Sequence, residues 1–156
     1  MKKSFITLFT TCLLVLVMLF FTQCKKESAS QVPVNIILYD KPLFVIQSYI
    51  QGSWKLQYGK GGFCGSCIQY YDSSIWKFTN INKIIKIYGR DTIVNTTIDW
   101  VKGKGTFIND QSTYIMNFYD KWGYPSNYVV DNILNDTLIL HDNSSDAVFY
   151  HFTKMN

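Results

Sequence analysis

From residue 74 to the C-terminus the chain alternates between apolar and polar positions. Trp76 and Phe78 share a face in 74–79, and Ile85 and Ile87 share one in 83–88. Val94, Thr96, Ile98 and Trp100 line one side of 92–101, and Tyr114, Met116 and Phe118 alternate in the next run. A two-residue period sends one side of each stretch toward a core, which predicts half-buried strands. Asn80-Ile81-Asn82 reads as a hairpin connection, Gly103-Lys104-Gly105 as a turn, and 106–108 as the start of the next strand. Trp122-Gly123-Tyr124-Pro125 breaks the ladder, because Pro125 has no amide donor. The last strands are 127–134 and 137–141 around the short turn Asn135-Asp136, then 147–153 after the polar loop 142–146.

Before this region the period changes. Leu43, Ile46 and Ile50 recur at helical spacing behind Asp40-Lys41-Pro42, an acceptor side chain followed by a proline in the first turn. One short helix is predicted, ending near Gly52, and 53–58 reads as the first long strand. With 17 Ile, 12 Thr and 11 Tyr against 2 Ala and a single Glu, residue usage favours strands as well. The expected fold class is all-β: an antiparallel up-and-down barrel of about eight strands with one short N-terminal helix. Closing the sheet removes the edges that a β domain must otherwise protect.

The first two dozen residues follow another logic. Lys2 and Lys3 precede an apolar run over 5–21 that ends at Phe21-Thr22-Gln23-Cys24, and 25–30 is polar. This arrangement resembles a bacterial lipoprotein signal with its lipobox, Gln23 standing where a small residue is usual. The resemblance implies a signal peptide over 1–23, acylation of Cys24, a polar tether through residue 41 and a domain over 42–156. The membrane would then be the first partner, through acylated Cys24, at the cell envelope and in the outer membrane. Several acyl chains bind a bilayer stably where one is marginal. Once Lys2 and Lys3 are removed with the leader, 13 basic residues face 11 acidic ones, and they are scattered. That pattern gives no footprint for nucleic acid. A mature chain of this length holds one core and is expected to be monomeric.

Cys64 and Cys67 form a C-x-x-C within Gly61-Gly62-Phe63-Cys64-Gly65-Ser66-Cys67. In an exported chain a local disulfide is the leading reading. A thiol-disulfide role would need the first cysteine at a helix N-terminus, whereas Ile68-Gln69-Tyr70-Tyr71 is strand-prone. One such pair supplies half of a zinc ligand set, so no metal is expected.

Gly52-Ser53-Trp54 places a G-x-W after the helix and at the start of the first long strand. With the Trp76-x-Phe78 strand and the closing hairpin, it resembles the lipocalin-like domains of bacterial envelope lipoproteins. The resemblance implies that Trp54, beside Gly52, plugs one end of the barrel. The late arginine that stacks on this tryptophan in core lipocalins has no counterpart, since Arg90 is the sole arginine, and Lys154 is expected in its place by a cation-π contact.

Of 26 aromatic residues, 22 follow the leader, which contains Phe5, Phe9, Phe20 and Phe21. Trp76, Phe78, Tyr114, Met116, Phe118, Tyr128, Tyr150 and Phe152 are the expected lining of a site for a small hydrophobic or amphipathic ligand held by burial. The alternative is that these side chains fill the barrel, and that an exposed surface such as Trp122-Gly123-Tyr124 holds a protein or glycan. His141 and His151, the two histidines, fall opposite the apolar set and are expected to point outward. No nucleophile, phosphate loop or serine elbow accompanies them, so neither an enzyme nor a cofactor is expected.

Overall fold

The computed structural model describes residues 34–155 apart from 81, 109 and 110. The leader, Cys24 and 24–33 of the tether therefore lie outside the described residues. The described chain is an antiparallel β-structure with a single α-helix, α1 (Leu43–Ile50). Its strands are β1 (Ile36–Ile37), β2 (Gly52–Gly61), β3 (Ile68–Tyr70), β4 (Ser74–Asn80), β5 (Lys83–Tyr88) and β6 (Asp91–Thr97). They continue as β7 (Asp99–Lys104), β8 (Ser112–Tyr119), β9 (Pro125–Leu134), β10 (Thr137–Asp142) and β11 (Val148–Lys154).

Hydrogen bonding runs in the order β6-β5-β4-β2-β11-β10-β9-β8-β7. The first long strand thus pairs with the last, from Trp54 opposite Lys154 to Gly61 opposite Val148. The two ends of the path, β6 and β7, are consecutive in the chain with only Ile98 between them. Residues 91–104 therefore behave as one bent strand whose first half pairs with β5 and whose second half pairs with β8. The path holds nine strands, and the sheet curls into a half-barrel whose two end strands are joined through Ile98. Ile98 is buried and donates its N–H to the Asn82 carbonyl at 2.6 Å, while the Lys121 N–H reaches the Ile93 carbonyl across the seam at 3.0 Å. The alternation over 92–101 does not show the split, because both halves keep the same side inward.

Helix α1 packs at one end. Ile46 and Ile50 are buried with Trp54, whose indole N–H donates to the Ile50 carbonyl at 2.6 Å. Gly52, between helix and strand, has φ 122°, a conformation that side chains with a Cβ rarely adopt, and so permits the abrupt exit from the helix. The expected cation-π contact is formed, with Lys154 Nζ 5.5 Å from the Trp54 ring centroid.

Four segments differ from the sequence reading. Residues 36–38, assigned to the tether, belong to the domain: β1 pairs with β9, Leu38 is fully buried, and its N–H donates to the Asp131 carbonyl at 2.8 Å. Three adjacent apolar residues carry no helical or alternating period that would reveal this. Gly103 and Lys104 continue β7 instead of turning, since Gly103 lets Ile115 approach to 2.8 Å from where a Cβ would stand. Residues 106–108 form a turn instead of a strand, and Phe107 folds over the outer face of the sheet toward His141 and Phe149. In β5 the core side is Ile84 and Lys86, while Ile85 and Ile87 take the other face; a bulge between Lys86 and Ile87 shifts the register.

Candidate functional site

The inward-facing aromatic residues form one contiguous cluster. Trp76 meets Phe118, Tyr128 and Phe152 edge-on, with ring centroids 6.3, 5.1 and 5.0 Å away. Phe118 and Tyr128 stack on each other at 5.8 Å, and Tyr150 meets Tyr128 at 5.7 Å. Phe78 and Met116 are buried in the same core, with Tyr114 and Tyr150 packed against it half-buried. All eight expected lining residues are thus brought together, and they lie against one another. Aromatic edges on faces at these distances are favourable packing.

Lys86 enters this cluster from β5, and the alternation gave no sign of it. Its Nζ lies 4.1 Å from the Trp76 ring centroid and 5.5 and 5.6 Å from those of Phe118 and Tyr128. Among the described residues it forms no ion pair and no hydrogen bond. Three aromatic faces supply cation-π attraction in place of an acceptor. Burial lowers its pKa to about 8, against the weaker opposing charge of Asp120. Desolvation also raises the hydroxyl pKa of Tyr128, and that of Tyr150 to about 12.

A second concentration of aromatic residues is exposed, at the β8–β9 connection. Trp122 and Tyr124 are 64% and 68% accessible. The loop that carries them is held in place: Asp120 Oδ1 accepts from the backbone N–H groups of Trp122 and Tyr124, both at 2.9 Å. The Asp120 N–H donates to the Tyr124 carbonyl, and Gly123 supplies the positive φ that this tight turn requires. Lys121 Nζ sits 4.5 Å from the Trp122 ring centroid. Two rings on a pre-organised loop lose little conformational entropy when they meet a partner.

On the outer wall of the sheet a groove of about 580 Å³ runs past Lys60, Phe107, Asp131, Asp146, Phe149 and His151. Asp131 projects from the β9 bulge and its carboxyl pKa is raised by burial. His151 stacks on Tyr58 at 4.3 Å and is less basic than usual through burial and the nearby Lys60 charge. His141 lies on this outer face but is fully buried beside Phe107 and Phe149, with both ring nitrogens unpartnered. Outward on a strand therefore did not mean solvent-exposed, because Phe107 and Phe149 cover it. Among the described residues this imidazole has no hydrogen-bond partner, and Asp142 acts on it only through its charge.

Cys64 and Cys67 are at disulfide distance, 2.05 Å between sulfurs, at the tip of a loop that Gly61 and Gly62 bring against the Ala147 carbonyl. Among the described residues no group of three or more His, Cys, Asp or Glu side chains could hold a metal ion, and no helix is long and apolar enough to cross a membrane. Comparison with protein-family models, with curated proteins and with solved structures finds no match to this chain.

Proposed function

We propose that this chain is a lipid-anchored, non-catalytic binding module of the cell envelope, whose curled sheet is a lipocalin-like barrel with a filled interior. Its contact surface is the Trp122-Gly123-Tyr124 loop, which meets a protein or glycan. One observation carries this reading. The interior aromatics spend their faces on each other around Trp76, while Trp122 and Tyr124 stay exposed on a clamped loop, with only Lys121 against the Trp122 ring. Helix α1, the G-x-W of Gly52 and Trp54, and the pairing of the first long strand with the last support the lipocalin-like reading. The polar run after Cys24 supports the anchor.

Titrating the chain against solubilised envelope glycans, with photo-crosslinking to envelope proteins in parallel, tests the surface. The Trp122→Ser, Tyr124→Ser double variant is expected to lose at least tenfold in affinity for whichever class binds, since interface tryptophans and tyrosines commonly contribute 2 kcal/mol or more, about 30-fold. Unchanged binding by this variant would remove the loop from the account.

A second reading has Lys86 in its favour. An ammonium without an acceptor, set among Trp76, Phe118 and Tyr128, would suit the acidic group of a small amphipathic ligand. Such a ligand has to displace packed rings to enter, and that cost places this reading second.

A further inference from the structure

The first described residues mark where the tether leaves the domain, and apolar side chains surround that point. The Val34 N–H donates to Asp136 Oδ1 at 2.9 Å, and the Asn135 N–H donates to Asn35 Oδ1 at 2.8 Å, so the chain is pinned to the β9–β10 turn. At this end Ile37 and Leu134 are 50% and 54% accessible. Because Ile37 pairs with Asn132, Leu134 sits one alternation further along the same outer face, and a small, almost wholly apolar groove of about 220 Å³ runs between them. The same end of the sheet carries α1 and the close of β11, since Leu134 pairs with Thr137, Thr137 with Thr153, and Lys154 with Trp54 just after the helix. Here Phe44, in the first turn of α1, is 72% accessible, and Met155 follows β11 with its N–H bound to the Ser53 carbonyl.

The charges nearby are permissive. Asp136 is occupied by the Val34 amide and Asp40 by Lys41 at 2.8 Å, while Lys154, and Lys25 and Lys26 in the tether, are cationic. The Trp122 loop is elsewhere: it precedes Pro125, and β9 runs ten residues from Pro125 to Leu134. At about 3.3 Å per residue that is on the order of 30 Å.

We infer that the end of the domain carrying Ile37, Phe44, Leu134 and Met155 rests on the lipid bilayer, which leaves the Trp122-Gly123-Tyr124 loop facing away from it. This rests on the lipid-anchored reading. Residues 25–33 span at most about 3.5 Å each, roughly 30 Å in all, so an acyl chain on Cys24 holds this end near the surface at high effective concentration. A patch too weak to bind membranes alone then suffices to set orientation. A protein partner here would have to enter between the domain and the bilayer to which its own tether leads. Lipid fits without rearrangement: apolar side chains reach the acyl boundary, and lysines meet anionic headgroups.

The test uses the full acylated chain reconstituted into vesicles of phosphatidylethanolamine and phosphatidylglycerol. An environment-sensitive thiol fluorophore is placed at Phe44→Cys in one sample, Leu134→Cys in a second and Tyr124→Cys in a third. The expected result is a blue-shifted emission at positions 44 and 134, quenched at least twofold by brominated-chain lipids, with water-like and unquenched emission at 124. Water-like emission at both 44 and 134 on vesicle-bound chain, or equal quenching at 124, would overturn the orientation and leave the anchor standing. Acylated chain that does not sediment with the vesicles would overturn the anchor and the orientation together. Replacing Ile37 and Leu134 by Ser is expected to reduce the quenching at 44 severalfold without releasing the chain; unchanged quenching in this variant counts against the patch.

Discussion

Lys86 and His141 are ionisable side chains held where charge is costly, and each makes stability depend on pH. Burial among Trp76, Phe118 and Tyr128 lowers the Lys86 pKa from 10.5 to about 8. Between those values the unfolded chain holds a proton that the folded chain has released, so stability rises as pH increases from about 8 to 10.5. Lys86→Met is expected to remove that rise and to stabilise the neutral protein by on the order of 2 kcal/mol, measured by urea denaturation across this range. A variant that is less stable than the parent would mean that the cation-π contacts outweigh desolvation. His141 acts in the same sense in a lower window. Burial lowers its pKa below 6.5, with Asp142 opposing, so the unfolded chain protonates first and stability is lost as pH falls below 6.5. His141→Leu is expected to flatten that acid loss, and removing two unpartnered nitrogens should leave neutral stability equal or higher by about 1 kcal/mol. Thermal unfolding at pH 5 and pH 7 checks both parts. Neither environment was legible from sequence. A lysine on a strand reads as the solvent side, and the cover over His141 comes from a loop thirty-odd residues away whose alternation suggested a strand.

At the scale of elements, local rules carried far. The 3.6 period over Leu43, Ile46 and Ile50 located the helix, and Asn135-Asp136 proved to be a two-residue hairpin turn with φ of 49° and 59°, values these two residue types tolerate better than most. The turn should be sensitive. Replacing both residues by Val is expected to cost about 2 kcal/mol or more, because a β-branched side chain resists positive φ; chemical denaturation measures it. The packing of α1 against the sheet depends on Trp54, which joins a hydrogen bond to the Ile50 carbonyl with burial in the core. Trp54→Ala is expected to destabilise the fold by about 3–5 kcal/mol in the same assay. What alternation could not supply was partner choice. Residues 91–104 carry one continuous inward pattern, yet change neighbours from β5 to β8 at Ile98. Pairing depends on where distant strands are, and a two-residue period says only which way a side chain points.

For the whole molecule, fold class was readable and site character was not. The same eight side chains, Trp76 and Phe152 among them, line a container or fill it according to how far the sheet closes and which rings interlock; sequence fixes only that they face one another. In the folded chain they interlock, and Lys86 adds a charge to the centre of the cluster. In the proposed function recognition therefore falls to the outside, on the loop that Asp120 holds in shape. It also gives the molecule a direction, with the tether leaving beside the β9–β10 turn and the aromatic loop lying at the far end of β9. In the proposed function the interior is structural. Titration of the folded chain with cis-parinaric acid, an amphipathic polyene whose fluorescence rises when it is buried, decides whether it is. No saturable increase in emission is expected, and no change on Lys86→Met; one molecule taken up per chain, with uptake lost in Lys86→Met, would show an interior built to hold a ligand.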